Sequence, residues 1–166
     1  WEWGAYYSDL TLTRAAYQRP APNTAPVKSK AAGLYMICTI CKHAAEANGF
    51  GDALMLDYRG YLAETTGANI FLVIDGAIHT PTPDCFLDGI TRRTVIELAQ
   101  KRGYEVIERH IMPEELDQVQ EIFVTGTAAE VTPVRAIDEQ RYQVGPVTSQ
   151  LVDDFRALTK TLATTG

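Results

Sequence analysis

The sequence predicts an α+β fold, a mixed β-sheet with helices packed around it. Three observations carry this. Short apolar runs such as Ala68-Asn69-Ile70-Phe71-Leu72-Val73-Ile74 are bounded by turn residues and read as buried strands. Longer stretches repeat apolar residues at helical spacing. The two kinds mix without a strict βαβ rhythm, which argues against a purely parallel sheet. With 46% hydrophobic residues, a chain of 166 residues can bury one real core, so one domain is expected over 10–166.

Taken in order, residues 1–9 are aromatic and turn-like, and 10–17 reads as a strand. The loop 18–26 carries Pro20, Pro22 and Pro26. A helix is expected over 27–47, because a proline suits a first turn where its missing N–H has no partner. Asn48-Gly49 stops it. Strands over 52–57 and 62–64 flank a turn at Tyr58-Arg59-Gly60-Tyr61. Strands over 68–74 and 77–80 flank Asp75-Gly76, a strong hairpin signal. After a loop over 81–88, a helix over 89–102 has Ile90, Val95, Ile96, Leu98 and Ala99 as its apolar positions and Asp88 as its N-cap. A strand over 104–111, a short acidic helix over 113–119 and a strand over 121–125 follow. A tight turn over 126–130 leads to a strand over 131–137, and a final helix runs over 147–162.

Composition excludes several classes of function. A net charge of −6 and a pI near 5.0 argue against nucleic acid. No apolar run reaches the length of a transmembrane helix, so no membrane partner is expected. The opening Trp1-Glu2-Trp3-Gly4 has neither an initiator Met nor a basic-then-apolar signal pattern, so the chain reads as part of a longer protein without a signal peptide. Cys38, Cys41 and Cys85 are too few for a disulfide scaffold and fit a reducing, cytoplasmic compartment.

Four places could carry chemistry. Helical counting puts Lys30 above Leu34, Ile37, Cys38, Cys41 and Ala45, at the top of a buried face. Lys28 falls on a more polar stripe with Tyr35 and Lys42. A desolvated lysine can act as a neutral amine; the plainer reading is a snorkelling lysine at a helix end. Glu64 lies between two apolar strands, as a half-buried carboxylate or as a turn residue bonded to backbone N–H groups. Leu87-Asp88-Gly89-Ile90-Thr91-Arg92 puts glycine and threonine at a helix start, whose free N–H groups and partial positive charge suit an anion. Thr125-Gly126-Thr127-Ala128-Ala129-Glu130 is a second anion nest or an ordinary turn. Cys38-Thr39-Ile40-Cys41, with His43 nearby, matches a redox or metal spacing. It sits on the apolar stripe of a helix, so buried thiols and no metal site are expected. Gly-x-Ser-x-Gly, a P-loop and a Gly-x-Gly-x-x-Gly after a strand do not occur.

The order of these places matters more than any one of them. An amine, then a buried carboxylate, then two anion-binding turns is what pyridoxal 5′-phosphate (PLP) requires for its aldehyde, its pyridine nitrogen and its phosphate. The chain resembles the fold-type IV PLP enzymes, and within them the branched-chain amino acid aminotransferases. The resemblance rests on Pro-Asn-Thr-Ala-Pro-Val-Lys-Ser-Lys-Ala-Ala-Gly-Leu-Tyr (22–35), Gly-Tyr-Leu-Ala-Glu-Thr-Thr-Gly-Ala-Asn-Ile-Phe (60–71), Leu-Asp-Gly-Ile-Thr-Arg (87–92) and Thr-Gly-Thr-Ala-Ala-Glu-Val-Thr-Pro-Val (125–134).

The resemblance implies the rest. The fold would be the pseudo-barrel large C-terminal domain of these enzymes over 10–166, with 1–9 as an interdomain segment. A smaller N-terminal domain would supply a phosphate-binding arginine and much of the substrate pocket. Lys30 would bond the PLP aldehyde as a Schiff base and move the proton at the substrate Cα. Tyr35 would bond the phenolate oxygen, Glu64 would hold the ring nitrogen protonated, and Leu87 would pack on the ring face. Ile90, Thr91 and Thr127 would hold the phosphate, so that the two distant turns meet on one group. Thr127 and Ala128 N–H groups would receive the substrate carboxylate. The substrates would be L-leucine, L-isoleucine or L-valine with 2-oxoglutarate, and the enzyme a homodimer or higher homo-oligomer. Two features depart from the family. The stretch Tyr7-Ser8-Asp9-Leu10-Thr11 looks several residues short, and Asp88 beside a phosphate site is awkward unless it caps the helix and points away. A D-amino acid aminotransferase, an (R)-amine transaminase, an aminodeoxychorismate lyase, an inactive cofactor-binding module and a Cys-x-x-Cys redox or zinc protein are the alternatives.

Overall fold

The computed structural model describes residues 10–164. The strands are β1 (Leu10–Arg14), β2 (Asp52–Leu56), β3 (Leu62–Thr65), β4 (Asn69–Ile74), β5 (Ala77–Pro81), β6 (Val106–Arg109), β7 (Glu121–Gly126), β8 (Glu130–Ile137) and β9 (Gln140–Arg141). The α-helices are α1 (Ala32–Ala47), α2 (Ile90–Lys101) and α3 (Pro146–Thr164), with a 3-10 helix at Pro113–Gln118.

Alternation along the strands sets the layers. In β4, Ile70, Leu72 and Ile74 join one buried cluster while Phe71 and Val73 join another. The first cluster collects Leu10, Leu12, Leu54, Leu62, Val124 and Val134, drawn from the strands of a ring. The second packs β4 and β7 against α2 and α3 through Val95, Ala99, Val147 and Leu151. Phe71 and Phe123 are register partners across β4 and β7, and their rings stack with centroids 4.9 Å apart. A third cluster seats α1 on β2 through Cys38, Cys41, Ala45, Ala53 and Met55.

The ring follows from the pairing. The strand order is β3-β2-β1-β8-β7-β4, and the Glu64–Asn69 pair returns β4 to β3. Closure of this kind removes free strand edges. β5 and β6 extend the sheet outward from β4, and β9 folds back on β8. β1 runs parallel to both β2 and β8, and β5 parallel to β6, so the sheet is mixed, as expected. The β4–β5 hairpin turns on Asp75 (φ 50°) and Gly76 (φ 81°), the positive pair that a tight hairpin demands.

Several expectations need correction. β1 ends at Arg14 rather than at 17, where the chain bends and Tyr17 is exposed. The helix expected over 27–47 begins only at Ala32. Residues 26–30 make a separate turn, with the Ser29 N–H donating to the Pro26 carbonyl. Val27 is buried by it, and Ala31 is extended at φ −92° and ψ 137°, which breaks the helix. Lys30 is therefore not on a helical face, and both it and Lys28 are exposed. Asp88 does not cap α2; Gly89 does, without a side-chain hydrogen bond. Ile90 is not an apolar packing position, being 77% exposed at the helix start. The strand expected over 104–111 shortens to Val106–Arg109, and β9 was not foreseen. Expectations for residues 1–9 lie outside the described residues. No helix among the described residues is long and apolar enough to cross a membrane.

Candidate active site

Four separate pieces of chain meet at one cavity of about 280 Å³. That is near the lower end of the roughly 300–1,000 Å³ usual for small-molecule sites. The turn before α1 brings Lys28 and Lys30, and the first turn of α1 brings Tyr35. β3 brings Glu64. The loop into α2 brings Leu87, Gly89, Ile90 and Thr91. The end of β7 brings Thr125, Gly126 and Thr127. Every residue that the resemblance assigns to the cofactor or substrate lines this cavity except Ala128, which is exposed in the turn just beyond Thr127.

Glu64 governs the electrostatics of one end. It is 9% exposed, and its Oε1 lies 3.3 Å from the Nε of buried Arg19. Burial pushes its carboxyl up from 4.5 to about 8; Arg19 opposes this and nearby Asp52 adds to it. The cost of taking the charge out of water outweighs the one cation beside it. Tyr35 is also raised above its ordinary value, first by burial and then by the Glu64 charge, so its hydroxyl stays protonated and can donate. The folded protein thus holds a proton on Glu64 that the unfolded chain releases between pH 4.5 and about 8. The contribution of this group to stability is greatest at low pH and falls as pH rises through that window, by up to about 1.4 kcal/mol per pH unit. Denaturant unfolding of the cofactor-free protein from about pH 5 to 9 is expected to show that fall, and Glu64→Gln to flatten it. A slope that survives in the Gln variant assigns the proton to another group.

The opposite end presents groups that suit an anion. The N–H groups of the first turn of α2 have no acceptor within the helix. The Thr91 and Thr127 side chains belong to residues lining the same cavity. Asp88 also lines the cavity, and its carboxylate is paired, 2.8 Å from the Nη1 of Arg92 and 4.0 Å from Arg93. Its charge is thereby partly offset, which lessens the awkwardness seen in the sequence. Arg92 is itself 1% exposed and also bonds Glu108 and the Pro81 carbonyl, pinning α2 to β5 and β6. The Thr125 hydroxyl is fully buried without a hydrogen-bond partner on the cavity wall. An orphaned donor of this kind, with an amine, a phenol, a buried carboxyl and free N–H groups, fits a PLP molecule chemically.

The sequence reading gave no role to Arg19, and it held Asn69, Arg92 and Thr125 only as members of motifs. Arg19 lay in a stretch read as loop, yet it is 4% exposed and donates to Cys38 Sγ (3.2 Å) and the Leu34 carbonyl. Asn69 sat inside an apolar strand, where a buried polar residue was itself the available signal. Cys38 and Cys41 are both buried, while His43 is exposed on α1. Among the described residues these three do not form a group able to hold a metal.

Comparison with known proteins adds an independent finding. The sequence profile described as amino-transferase class IV matches residues 1–137. The chain is similar to a branched-chain-amino-acid aminotransferase of Pseudomonas aeruginosa, with 38% identity over 160 residues that make up 91% of this chain and 52% of the relative. It is similar in structure to a branched-chain aminotransferase from the archaeon Thermoproteus uzoniensis with norvaline. There the TM-score is 0.89 at 36% identity, covering 93% of this chain and 53% of the other. An aminotransferase from Brucella abortus bound to the cofactor PLP superposes with a TM-score of 0.85 at 37% identity, covering 95% of this chain and 55% of that one. The chain spans about half the length of the curated relatives it matches.

Proposed function

Because this chain belongs to the class IV aminotransferases, we propose that residues 10–166 are the cofactor-binding domain of a PLP-dependent branched-chain amino acid aminotransferase. It would transfer the amine of L-leucine, L-isoleucine or L-valine to 2-oxoglutarate. The observation that carries this reading is the single cavity that collects Lys30, Tyr35, Glu64, Leu87, Ile90, Thr91 and Thr127 from four distant pieces of sequence.

When bound, PLP supplies an electron sink for negative charge at the substrate Cα. The residues of the chain hold and aim it. Lys30 would hold the aldehyde end, and its freed amine would take up the proton that leaves the substrate Cα. Glu64, whose carboxyl burial pushes up to about 8, would share its proton with the ring nitrogen. The Tyr35 hydroxyl would donate to the phenolate oxygen. Leu87 would cover the ring face. The Ile90 and Thr91 N–H groups and the Thr91 and Thr127 hydroxyls would share the phosphate, since one helix end offers too few donors for a dianion. The Thr127 and Ala128 N–H groups, at the open end of the turn, would receive the substrate carboxylate.

A cytoplasmic homodimer is part of the same proposal. The three cysteines are free thiols, which supports a reducing compartment. Met36 and Ile40, one turn apart on α1, are exposed apolar residues that support self-association. The decisive test is turnover by the full-length protein. L-leucine, L-isoleucine and L-valine are expected to form their 2-oxo acids with 2-oxoglutarate as acceptor. Turnover confined to a D-amino acid, an (R)-amine or aminodeoxychorismate would move the protein to another member of the same fold.

A further inference from the structure

One residue touches three walls of the cavity. The backbone of Asn69 pairs with Glu64 across β3 and β4, and with Thr125 across β4 and β7. Its side chain is 5% exposed and reaches the fourth piece of chain, the start of α2. There Nδ2 donates to the Leu87 carbonyl at 2.9 Å, and Oδ1 accepts the Gly89 N–H at 3.3 Å. The contact leaves no spare room: a Cβ added to Gly89 would stand 2.5 Å from Asn69 Oδ1. Because both ends of the carboxamide are engaged and buried, it cannot swing aside without giving up a hydrogen bond.

We propose that Asn69 is a positioning residue that sets the distance between Glu64 and the first turn of α2, and so makes the cavity select a phosphorylated pyridine aldehyde over its unphosphorylated form. The inference rests on the reading of the cavity as a PLP site. Its physical basis is that a rigid ligand gripped at both ends is sensitive to small errors in their separation. Glu64 is carried by the strand beside Asn69, whereas the residues leading into α2, Leu87 and Gly89, are held by the Asn69 side chain. Loss of the side-chain clamp frees the phosphate end and leaves the ring end in place.

The test compares PLP with pyridoxal, which has the same ring and aldehyde and no phosphate, as ligands of the cofactor-free full-length protein. Asn69→Asp keeps the acceptor for Gly89 and replaces the donor to Leu87 with an oxygen. PLP affinity is expected to fall about 10- to 100-fold, while pyridoxal affinity stays within about threefold. Gly89→Ala disturbs the same contact from the other side without adding a charge and is expected to show the same selective loss, so it carries the test if Asn69→Asp does not fold; a selective loss in Asn69→Asp alone is charge repulsion of the phosphate and overturns the proposal. A further readout separates positioning from general damage: the Glu64-dependent fall of stability with pH should persist in Gly89→Ala, which adds no titratable group. Equal loss for PLP and pyridoxal, or no loss for either, overturns the proposal. A wild-type protein that binds neither aldehyde overturns instead the PLP reading on which the proposal stands.

Discussion

Replacing Lys30 with Ala is expected to abolish transamination and to leave no pyridoxyl label on the protein after borohydride treatment in the presence of PLP. Lys28→Ala is expected to retain both. Two contributions disappear together in the Lys30 variant: the covalent hold on the cofactor and the group that moves the substrate proton. Loss of a positioned acid–base group alone costs about 10²–10⁴-fold in rate. Loss of the nucleophile removes the step in which the amine is exchanged. Exposure does not distinguish the two lysines, because both residues line the same cavity and neither is buried. The choice of Lys30 rests on the match of 22–35 to the family motif. Mass spectrometry of the reduced, digested protein decides it: a label on Lys28 would sink the assignment.

Changing Glu64 to Gln is expected to leave PLP bound and to lower kcat by about 10²–10³-fold. The amide has the size of the carboxyl and cannot keep a proton on the ring nitrogen, so the ring loses its strength as an electron sink. The effect on the chemical step amounts to a few kcal/mol, each 1.4 kcal/mol being about tenfold in rate. The variant also puts an amide in place of the carboxyl whose Oε1 lies 3.3 Å from the Nε of Arg19, a residue only 4% exposed. Thermal unfolding measured alongside the kinetics separates that structural cost from the chemical one. An unchanged kcat in a folded, PLP-loaded variant would remove Glu64 from the mechanism.

Some of this was legible because the signals are local. Asp75-Gly76 specifies a hairpin through backbone preferences of the two residues themselves, and the structure has it. The apolar run ending at Ile74 specifies a strand buried on both faces, and it lies in the sheet between β7 and β5. Glu64 stood out as a carboxylate between apolar strands, and it is buried. Where local signals competed, reading along the chain failed. Pro26 is well suited to begin a helix, yet burial of Val27 holds 26–30 as a separate turn and delays α1 to Ala32. Ile90 fits the apolar stripe of α2 by spacing, yet the first turn of that helix projects past the core.

The amino-acid sequence alone determined the class of fold, most of its elements, and the four short motifs whose order points to PLP. It did so because periodicity, turn chemistry and motif spacing are properties of residues a few positions apart. The tertiary structure alone decided that those motifs share one cavity, that β4 closes on β3 to make a ring, and that Glu64 is buried beside Arg19. It alone showed that Asn69 clamps the start of α2 to the strand carrying Thr125 on its other side. These are outcomes of packing between segments distant in sequence. Desolvation of a carboxyl, the reach of a carboxamide and the closure of a sheet depend on which surfaces meet, and no residue carries that information in its own neighbourhood.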